Sequence, residues 1–399
     1  VLVVTEGFAD ALAIGYQNRP DIFALNIAKP TPIYAHVVET KERLNAQGDV
    51  LIALDEADIR RSLQSHYDNG LRSTAICLVH GYRYPAHETR IGEIARDIGF
   101  TQISVSYDVE SLIKFVSRGE TTLADAYLTP VLNNYISGLQ NELSTIVQPE
   151  RLLFMQSNGG LTLAESFRGK NSVLSGPAAG VVGMVETASK AGFARLIGFD
   201  MGGTSTDVSA WNGEYERSND SEVAGVRLRA PMMKIHTIAA GGGSILEYKD
   251  DRFQVGPASA GANPGPACYR RGGPLTVTDA NVLLGRIPVE HFPRVFGPDA
   301  DEPLDVDIVG QKFAELAGTV SLSAEKIAEG FLTVAVESMA NAIRKITIER
   351  GEDVRDFVLC SFGGAAGQHA CMVAEALDMQ RVWLHPMAGV LSAYGMGLS

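Results

Sequence analysis

The segment 196–208 constrains the fold more than any other part of the chain. Its sequence, LIGFDMGGTSTDV, is an apolar strand that leads into a carboxylate, two glycines and three hydroxyl residues, and ends beside a second carboxylate. Gly202 and Gly203 allow a sharp turn and bring backbone N–H groups close to an anion. Asp200 and Asp207 could hold a hydrated Mg²⁺ that offsets the charge of that anion. The pattern predicts a strand-to-turn junction that binds phosphate and a metal ion.

The hydroxyl side chains of the same turn supply further hydrogen-bond donors. Thr204, Ser205 and Thr206 can donate to phosphate oxygens, and Asp200 and Asp207 are candidate catalytic residues that position a metal ion or a water molecule. The structural alternative is a hairpin whose turn happens to be rich in glycine and threonine. Carboxylates at both ends of such a turn are a poor choice for a purely structural role, which favours the nucleotide-binding interpretation.

A second strand-to-glycine junction lies late in the chain. Residues 357–362 have the character of a strand, and Gly363 and Gly364 follow them before a helical pattern begins. Glycines at this point would allow close approach of a flat ring or a ribose, with the N-terminus of the next helix facing it. Many α/β turns look similar. Together with the first junction, this one indicates two walls of one nucleotide cleft.

Three consecutive glycines end an apolar strand between the two junctions. Because ordering three glycines costs backbone entropy, we expect Gly241, Gly242 and Gly243 where a ligand or another backbone segment approaches very closely. His236, near the start of the same segment, could be a metal ligand or an acid–base group. A hydrogen-bonded, half-buried histidine is the structural alternative, and the sequence leaves both open.

Composition bounds the class of protein. At 399 residues with 45% hydrophobic composition, the chain can bury substantial cores, and more than one domain is expected. The net charge of −13 argues against a nucleic-acid or anionic-membrane partner. The four cysteines have no Cys-x-x-Cys spacing, which is typical of a reduced, cytoplasmic setting. No apolar run reaches the length of about 18 residues that spans a bilayer.

Short apolar runs alternate with helical patterns, which predicts an α/β fold with mixed sheets covered by helices. Strands are predicted at 1–4, 75–79, 102–105, 152–155, 196–199, 357–362 and 381–384. Helices are predicted at 55–67, 88–98, 123–143, 178–191, 324–349 and 368–377.

A boundary just before the Asp200 strand divides the chain into domains 1–194 and 195–399. The Gly- and Pro-rich stretch 256–274 is interpreted as a rigid binding loop, with an irregular surface connection as the alternative, and 297–307 as a solvated linker.

Motifs spread along nearly the whole chain resemble one known family in their order. They lie at 5–8, 14–20, 85–88, 121–122, 125–128, 155–160, 175–180, 200–207, 241–244, 255–257, 259–261, 264–269, 276–281 and 362–364. The chain resembles the A-type subunit of the ATP-dependent hydantoinase, 5-oxoprolinase and acetone carboxylase family. The nucleotide domain of that family is similar to those of actin, Hsp70 and the sugar kinases, so the resemblance implies this nucleotide-binding architecture.

The resemblance also implies a function. It implies an enzyme subunit that uses ATP, with Mg²⁺ or Mn²⁺, to phosphorylate the carbonyl oxygen of a small cyclic amide of the hydantoin or 5-oxoproline type, so that the ring opens by hydrolysis. The implied partner is a B-type subunit. Nucleotide contacts are expected from Gly202, Gly203, Thr204, Thr206, Gly241, Gly242, Gly243, Gly363 and Gly364. Metal contacts are expected from Asp200, His236 and Asp279.

Two alternatives remain, of which the first shares every one of these motifs. One is a subunit of an ATP-dependent carboxylase that acts on a small ketone, and the other is a non-enzymatic, nucleotide-responsive scaffold. Members of the family begin with an Asp-Gly-Gly-Thr phosphate loop, and nothing similar precedes Thr5 here. They also continue beyond the last residue of this chain. We therefore expect an internal fragment, truncated at both ends, that binds ATP weakly and is inactive by itself.

Overall fold

A computed structural model describes residues 1–16, 23, 25–26, 29, 31–148, 151–223 and 225–399. Residues 17–20 of the motif at 14–20 therefore lie outside the described residues. The chain forms two compact units. Unit 1 comprises Val1–Ser175 with Arg217–Met232, and unit 2 comprises Gly176–Glu216 with Met233–Ser399. The predicted domain boundary at residue 194 stays a prediction.

The helices and strands are numbered in chain order. The helices are α1 (Ala11–Ile14), α2 (Glu56–Asp68), α3 (Ala86–Ile98), α4 (Ser106–Val109), α5 (Phe115–Leu143), α6 (Ser175–Lys190), α7 (Val277–Leu283), α8 (Val306–Val320), α9 (Ala324–Ile348), α10 (Ala370–Ala376) and α11 (Leu391–Met396). The strands are β1 (Leu2–Thr5), β2 (Val37–Thr40), β3 (Arg43–Leu44), β4 (Val50–Ile52), β5 (Ser73–Cys77), β6 (Gln102–Val105), β7 (Leu153–Met155), β8 (Leu161–Leu163), β9 (Leu196–Met201), β10 (Thr206–Trp211), β11 (Arg217–Ser218), β12 (Ser221–Val223), β13 (Val226–Leu228), β14 (Met232–Met233), β15 (His236–Ile238), β16 (Ser244–Lys249), β17 (Arg252–Ser259), β18 (Val358–Phe362) and β19 (Val382–Leu384).

Unit 1 is built on a parallel sheet with the strand order β2-β1-β5-β6. Side chains alternate between its two faces, and both faces are covered, so β1 is buried along its whole length and is apolar up to Thr5. Val3 packs into a core with α2 and α3. Leu2 and Val4 pack on the opposite face against Leu123 and Ala126 of α5.

Unit 2 is built on a mixed sheet with the strand order β15-β10-β9-β18-β19. β9, β18 and β19 run parallel, and β10 is antiparallel to both β9 and β15. Phe199 and Met201 of β9 point into a large core with α7, α8, α9 and α10. Leu196 of β9 and Phe362 of β18 pack on the other face, against α6 and Leu391. The prediction of mixed α/β sheets covered by helices is confirmed.

The prediction of a solvated linker at 297–307 is wrong at the C-terminal end of that segment. Asp305 accepts a hydrogen bond from the N–H of Ile308 at 3.1 Å and caps α8, and Leu304 is buried. Capping by a side-chain carboxylate satisfies one of the free N–H groups at the start of a helix. The segment therefore includes the start of a packed helix. Among the described residues, no helix is long and apolar enough to cross a membrane.

Candidate functional site

The Gly-Gly-hydroxyl run forms the turn of a β-hairpin in unit 2. β9 and β10 are antiparallel, and the N–H of Gly202 donates to the carbonyl oxygen of Ser205 at 3.1 Å, which closes the turn. In this register Asp207 lies directly opposite Asp200. Side chains at directly opposite positions point to the same face of a sheet, with Cβ atoms about 5 Å apart. The hairpin therefore places the two carboxylates side by side, next to its own turn.

The Asp200–Asp207 pair is only partly exposed to solvent. Burial, together with the negative charge of Asp207, raises the pKa of Asp200 to about 6. Burial also raises the pKa of Asp207, while Thr237 opposes this rise by donating from Oγ1 to Oδ1 of Asp207 at 2.5 Å. Thr237 lies opposite Asp207 on β15. A row of three strands thus holds two carboxylates that would be stabilised by a cation between them.

Two glycines make room for the Asp200 carboxylate. A Cβ atom on Gly180 of α6 would lie 3.4 Å from Oδ2 of Asp200 and 2.9 Å from Oγ of Ser392. Gly363, which follows β18, has φ +86 and lies on the other side, against Oδ1. Its predicted neighbour Gly364 is exposed, with open space around its Cα. Gly363 therefore supports the carboxylate, while Gly364 faces solvent.

The tip of the hairpin carries hydrogen-bond donors that the protein itself does not use. Among the described residues, the N–H groups of Gly203, Thr204 and Ser205 have no hydrogen-bond partner, and neither do the hydroxyls of Thr204 and Ser205. A Cβ atom on Gly202 or Gly203 would meet nothing within 4 Å. Unpaired donors beside open space, next to two carboxylates, are what a phosphate group and its counter-ion require.

The three consecutive glycines pack against the back of this hairpin. The N–H groups of Gly242 and Gly243 donate to the carbonyl oxygens of Gly202 and Gly203 at 3.1 and 2.6 Å. The N–H of Gly241 donates to Oγ of Ser244 at 2.9 Å. Of the two expectations for this segment, close approach of another backbone is therefore the one observed. Since all three N–H groups are engaged, they are not available to a phosphate.

Thr206 and His236 lie on the opposite face of the sheet from the two carboxylates. The Thr206 hydroxyl is buried and donates to the carbonyl oxygen of Ala240. His236 pairs with Val208, one residue away from the Thr237–Asp207 pair, so its side chain points toward α9. Burial lowers the pKa of His236, and the nearby charge of Lys345 lowers it further. The structure does not bring these two residues to the carboxylates.

Asp279 has a structural environment of its own at the start of α7. Its carboxylate accepts hydrogen bonds from the backbone N–H groups of Ala267, Cys268 and Thr276 at 2.8–3.0 Å, and from Oγ1 of Thr276 at 2.9 Å. Thr276 and Asp279 form a capping box. The carboxylate thus fixes the 3₁₀ turn Ala267–Tyr269 within the Gly- and Pro-rich segment.

The predicted metal ligands therefore do not converge. Asp200 lies on one face of the sheet, His236 on the other, and Asp279 is saturated with protein donors. In the part of the chain that the structure describes, no group of three or more His, Cys, Asp or Glu side chains is arranged to hold a metal ion. Of the predicted metal ligands, Asp200 alone faces the open side of the hairpin, where Asp207 is its neighbour.

Sequence comparison matches residues 118–399 to the family described as Hydantoinase/oxoprolinase, and residues 1–99 to the Hydantoinase/oxoprolinase N-terminal region. The chain belongs to the hydantoinase/oxoprolinase family. Among curated members, it is 44% identical to the 5-oxoprolinase of Saccharomyces cerevisiae, covering 100% of this chain and 34% of that protein. It is 33% identical to the caprolactamase subunit alpha of Pseudomonas jessenii, covering 100% of this chain and 58% of that protein.

Two solved structures have the same fold. The crystal structure of the ATP-dependent caprolactamase from Pseudomonas jessenii superimposes with a TM-score of 0.80 at 33% identity, covering 99% of this chain and 58% of that one. A nucleotide-free structure of acetone carboxylase gives a TM-score of 0.84 at 23% identity, covering 99% and 58%, and shows likeness of fold alone. The chain spans about a third of the length of the 5-oxoprolinases that it matches.

Three residues that surround the carboxylates in this hydantoinase/oxoprolinase chain were missed by sequence reasoning. They are Gly180, Thr237 and Ser392. Thr237 can be found from strand alternation once β15 is paired with β10. Side chains alternate between the two faces of a sheet, so if His236 points away from the carboxylates, Thr237 must point toward them. Gly180 comes close to Asp200, and Ser392 to Gly180, through tertiary packing that the sequence motif at 175–180 does not reveal.

Proposed function

We propose that the complete protein containing this chain opens a small cyclic amide in an ATP-dependent reaction. The observation that carries the proposal is the Asp200–Asp207 pair beside a hairpin tip with unused hydrogen-bond donors. The names of the relatives support the substrate class, since they include 5-oxoprolinases and an ATP-dependent caprolactamase. Hydantoin and 5-oxoproline share with caprolactam the ring amide on which such an enzyme acts.

The hairpin tip fits the phosphate groups of ATP. Thr204 and Ser205 each offer a backbone N–H and a hydroxyl, Gly203 offers a further N–H, and the space in front of Gly202 and Gly203 is open. Donors held in this way can stabilise negative charge without reorganising when it develops. Gly241, Gly242 and Gly243 contribute indirectly because their hydrogen bonds hold the tip from behind.

The two carboxylates fit a divalent cation of the kind that accompanies ATP. Mg²⁺ prefers one or two carboxylates together with water and phosphate oxygens. A cation would also relieve the repulsion that, together with burial, raises the pKa of Asp200. When bound, it would supply charge neutralisation at the phosphates. We propose Asp200 and Asp207 for this role, with Thr237 holding the Asp207 carboxylate in place.

The chemistry explains why a hydrolysis would need ATP. Amide resonance makes a lactam or hydantoin carbonyl a poor electrophile, whereas a phosphorylated carbonyl oxygen becomes a leaving group. Transfer of the phosphoryl group depends mainly on positioning and on stabilisation of charge. The unpaired N–H groups and hydroxyls of the tip would contact the phosphates, and Asp200 would position the cation or a water molecule. The proposal also includes a B-type partner subunit and a cytoplasmic location.

The test is phosphate release by the complete protein with its partner subunit. We expect 5-oxoproline, hydantoin or caprolactam to stimulate phosphate release, whereas stimulation only by acetone with bicarbonate would indicate the alternative function, an ATP-dependent ketone carboxylase.

Asp200→Asn should lower kcat roughly 100-fold or more with little change in KM for the amide, because it removes transition-state stabilisation. Asp299→Asn, in an exposed loop, is the matched control. Unchanged kcat in Asp200→Asn would make the pair structural, and nucleotide binding without substrate-stimulated phosphate release would favour the nucleotide-responsive scaffold.

A further inference from the structure

Unit 1 contains a cavity that the proposed phosphate site does not use. Its volume is about 560 Å³, within the range of small-molecule sites in proteins. Apolar side chains form much of its wall, including Leu12, Ile14, Ile33, Leu123 and Val226. Such a wall favours a ligand with an apolar ring or chain, because binding removes both surfaces from water.

One half-buried carboxylate faces this cavity with an oxygen atom that has no hydrogen-bond partner among the described residues. Glu120, on α5, lines the cavity, and its Oε2 atom is buried and accepts no hydrogen bond among the described residues. The pKa of Glu120 is raised to about 7, mainly by burial, with the charge of Arg227 opposing the rise and the charges of Glu222 and Asp220 adding to it. A buried acceptor left unpaired is costly to the protein, which points to a donor supplied from outside.

A cation lies in the same cavity wall. Arg227, on β13, is held by stacking on the ring of Tyr16, with Cζ 4.0 Å from the ring centroid, and by Glu222 on β12 at 3.9 Å. β13 packs against α5 through Leu228 and Ala124, and Oγ1 of Thr121 accepts the N–H of Arg229 at 2.9 Å. These contacts fix the strand that carries Arg227 next to the helix that carries Glu120.

The cavity therefore combines an apolar wall with an unpaired acceptor on Glu120 and a guanidinium donor on Arg227. Lys29, which also lines the cavity, already donates to the carbonyl oxygens of Ala13 and Ile14. A cyclic amide offers the complement: an apolar ring, an N–H donor and an adjacent carbonyl acceptor. We propose that this cavity binds a small cyclic amide, which donates its N–H to Glu120 and accepts a hydrogen bond from Arg227 at its carbonyl oxygen. This inference rests on the proposed function, since it assigns a binding site to the substrate class named there.

Other ligand classes fit less well. A phosphate group would meet Lys29 and Arg227, but also the carboxylates of Glu120 and Glu222, which repel it. Lys29 is also already engaged by two backbone carbonyl oxygens. A divalent cation would meet the guanidinium of Arg227, and no group of three metal-ligating side chains occurs within the described ranges. A purely apolar ligand would leave Oε2 of Glu120 without a donor. Of these classes, the amide satisfies the acceptor and the donor together.

The experiment is calorimetric titration of the complete protein, without nucleotide, with 2-pyrrolidinone. Cyclopentanone, which has the same ring size and carbonyl but no N–H, is the matched ligand control. We expect Glu120→Leu and Arg227→Leu each to weaken binding of 2-pyrrolidinone roughly tenfold or more, since each leaves one ligand group unpaired. Glu142→Leu makes the same change at an exposed position on the same helix and should bind normally.

A third variant guards against loss of folding. Ala13 lines the cavity but is exposed, so Ala13→Trp should block the space without disturbing the core. The inference is supported if Ala13→Trp abolishes binding while its melting temperature stays at the wild-type value, and if cyclopentanone binds more weakly than 2-pyrrolidinone. Binding that is equal in wild type and all three cavity variants would overturn it. In that case amide-stimulated phosphate release would persist in the same variants if the proposed function holds, so the two failures are distinguishable.

Discussion

A Cβ atom on Gly363 would lie 2.3 Å from Oδ1 of Asp200 and 2.6 Å from the carbonyl oxygen of Met201. Real Cβ atoms do not approach this closely, so no side chain fits at position 363 while the carboxylate keeps its place. The backbone at Gly363 also has φ +86, a conformation that favours glycine. The position of Asp200 thus depends on a residue far away in sequence, at the end of a neighbouring strand.

Gly363→Ala should reduce amide-stimulated phosphate release roughly tenfold or more, because the new methyl group displaces the Asp200 carboxylate. Gly364→Ala is the matched control, since its Cβ meets nothing within 4 Å and its φ is not positive. It should keep near-normal activity. Both variants should be compared by steady-state kinetics and thermal melting. Equal activity in the two variants would show that the position of the carboxylate does not matter for turnover.

Asp200→Asn should stabilise the protein, and the gain should grow with pH. The pKa of Asp200 is raised from 3.8 to about 6, so the folded state holds a proton that the unfolded state has lost between these values. Its contribution to stability is full below about pH 4 and is lost as the pH rises through 6. At neutral pH, ionised Asp200 lowers the free energy of unfolding by at most about 3 kcal/mol relative to its protonated form. Melting temperatures from pH 4 to 8 check this, and a variant that melts lower than wild type at pH 7 would contradict it.

Thr237→Val should shift the acidic limb of the pH–activity profile to higher pH. The hydrogen bond from Thr237 lowers the pKa of Asp207, so its loss lets that pKa rise and protonates the pair more readily. His236→Gln changes the adjacent residue on the opposite face and should leave the profile unchanged. Phosphate release measured between pH 5 and 8 distinguishes the effect of Thr237→Val from that of His236→Gln. If only His236→Gln lost activity, His236 and not Thr237 would be the residue that contributes to the site.

Asp279→Asn should lower the melting temperature whether or not metal ions are present. The amide nitrogen would face the N–H groups of Ala267, Cys268 or Thr276 that now donate to the carboxylate, at a cost of about 1–3 kcal/mol. Melting of wild type and variant with and without EDTA is the measurement. A metal-binding Asp279 would give a different result, because EDTA would then lower the wild-type melting temperature toward that of the variant.

The strands of both central sheets could largely be predicted from sequence. Residues 102–105 match β6, and 196–199 fall within β9, where a strand buried on both faces gives a short apolar run. The start of α5 was missed: the prediction began at 123, but the helix begins at Phe115. Ser117, Gly119 and Thr121 are poor helix formers, and their burial shows that tertiary packing overrides propensity there.

The arrangement of the site could be predicted only in part. A capping box links Thr276 and Asp279 across three residues, so the structural role of Asp279 was visible in the sequence. The faces taken by Thr206 and His236 depend on how β10 and β15 pair, which is a non-local property. A shift of one residue in register would reverse every side chain of β15. The sequence therefore indicates which residue types gather at the hairpin, but not which of them share a face.

The hydrogen bonds from Gly242 and Gly243 to the back of the hairpin bear on how an anion would be captured. A loop that orders only when its ligand arrives loses conformational entropy in the binding step, which weakens affinity. Here the tip is already tied to a second segment of unit 2, so that entropy is lost during folding instead. Thr204 and Ser205 would then bind an anion in a preformed site, and the shape and charge of that site would set its selectivity.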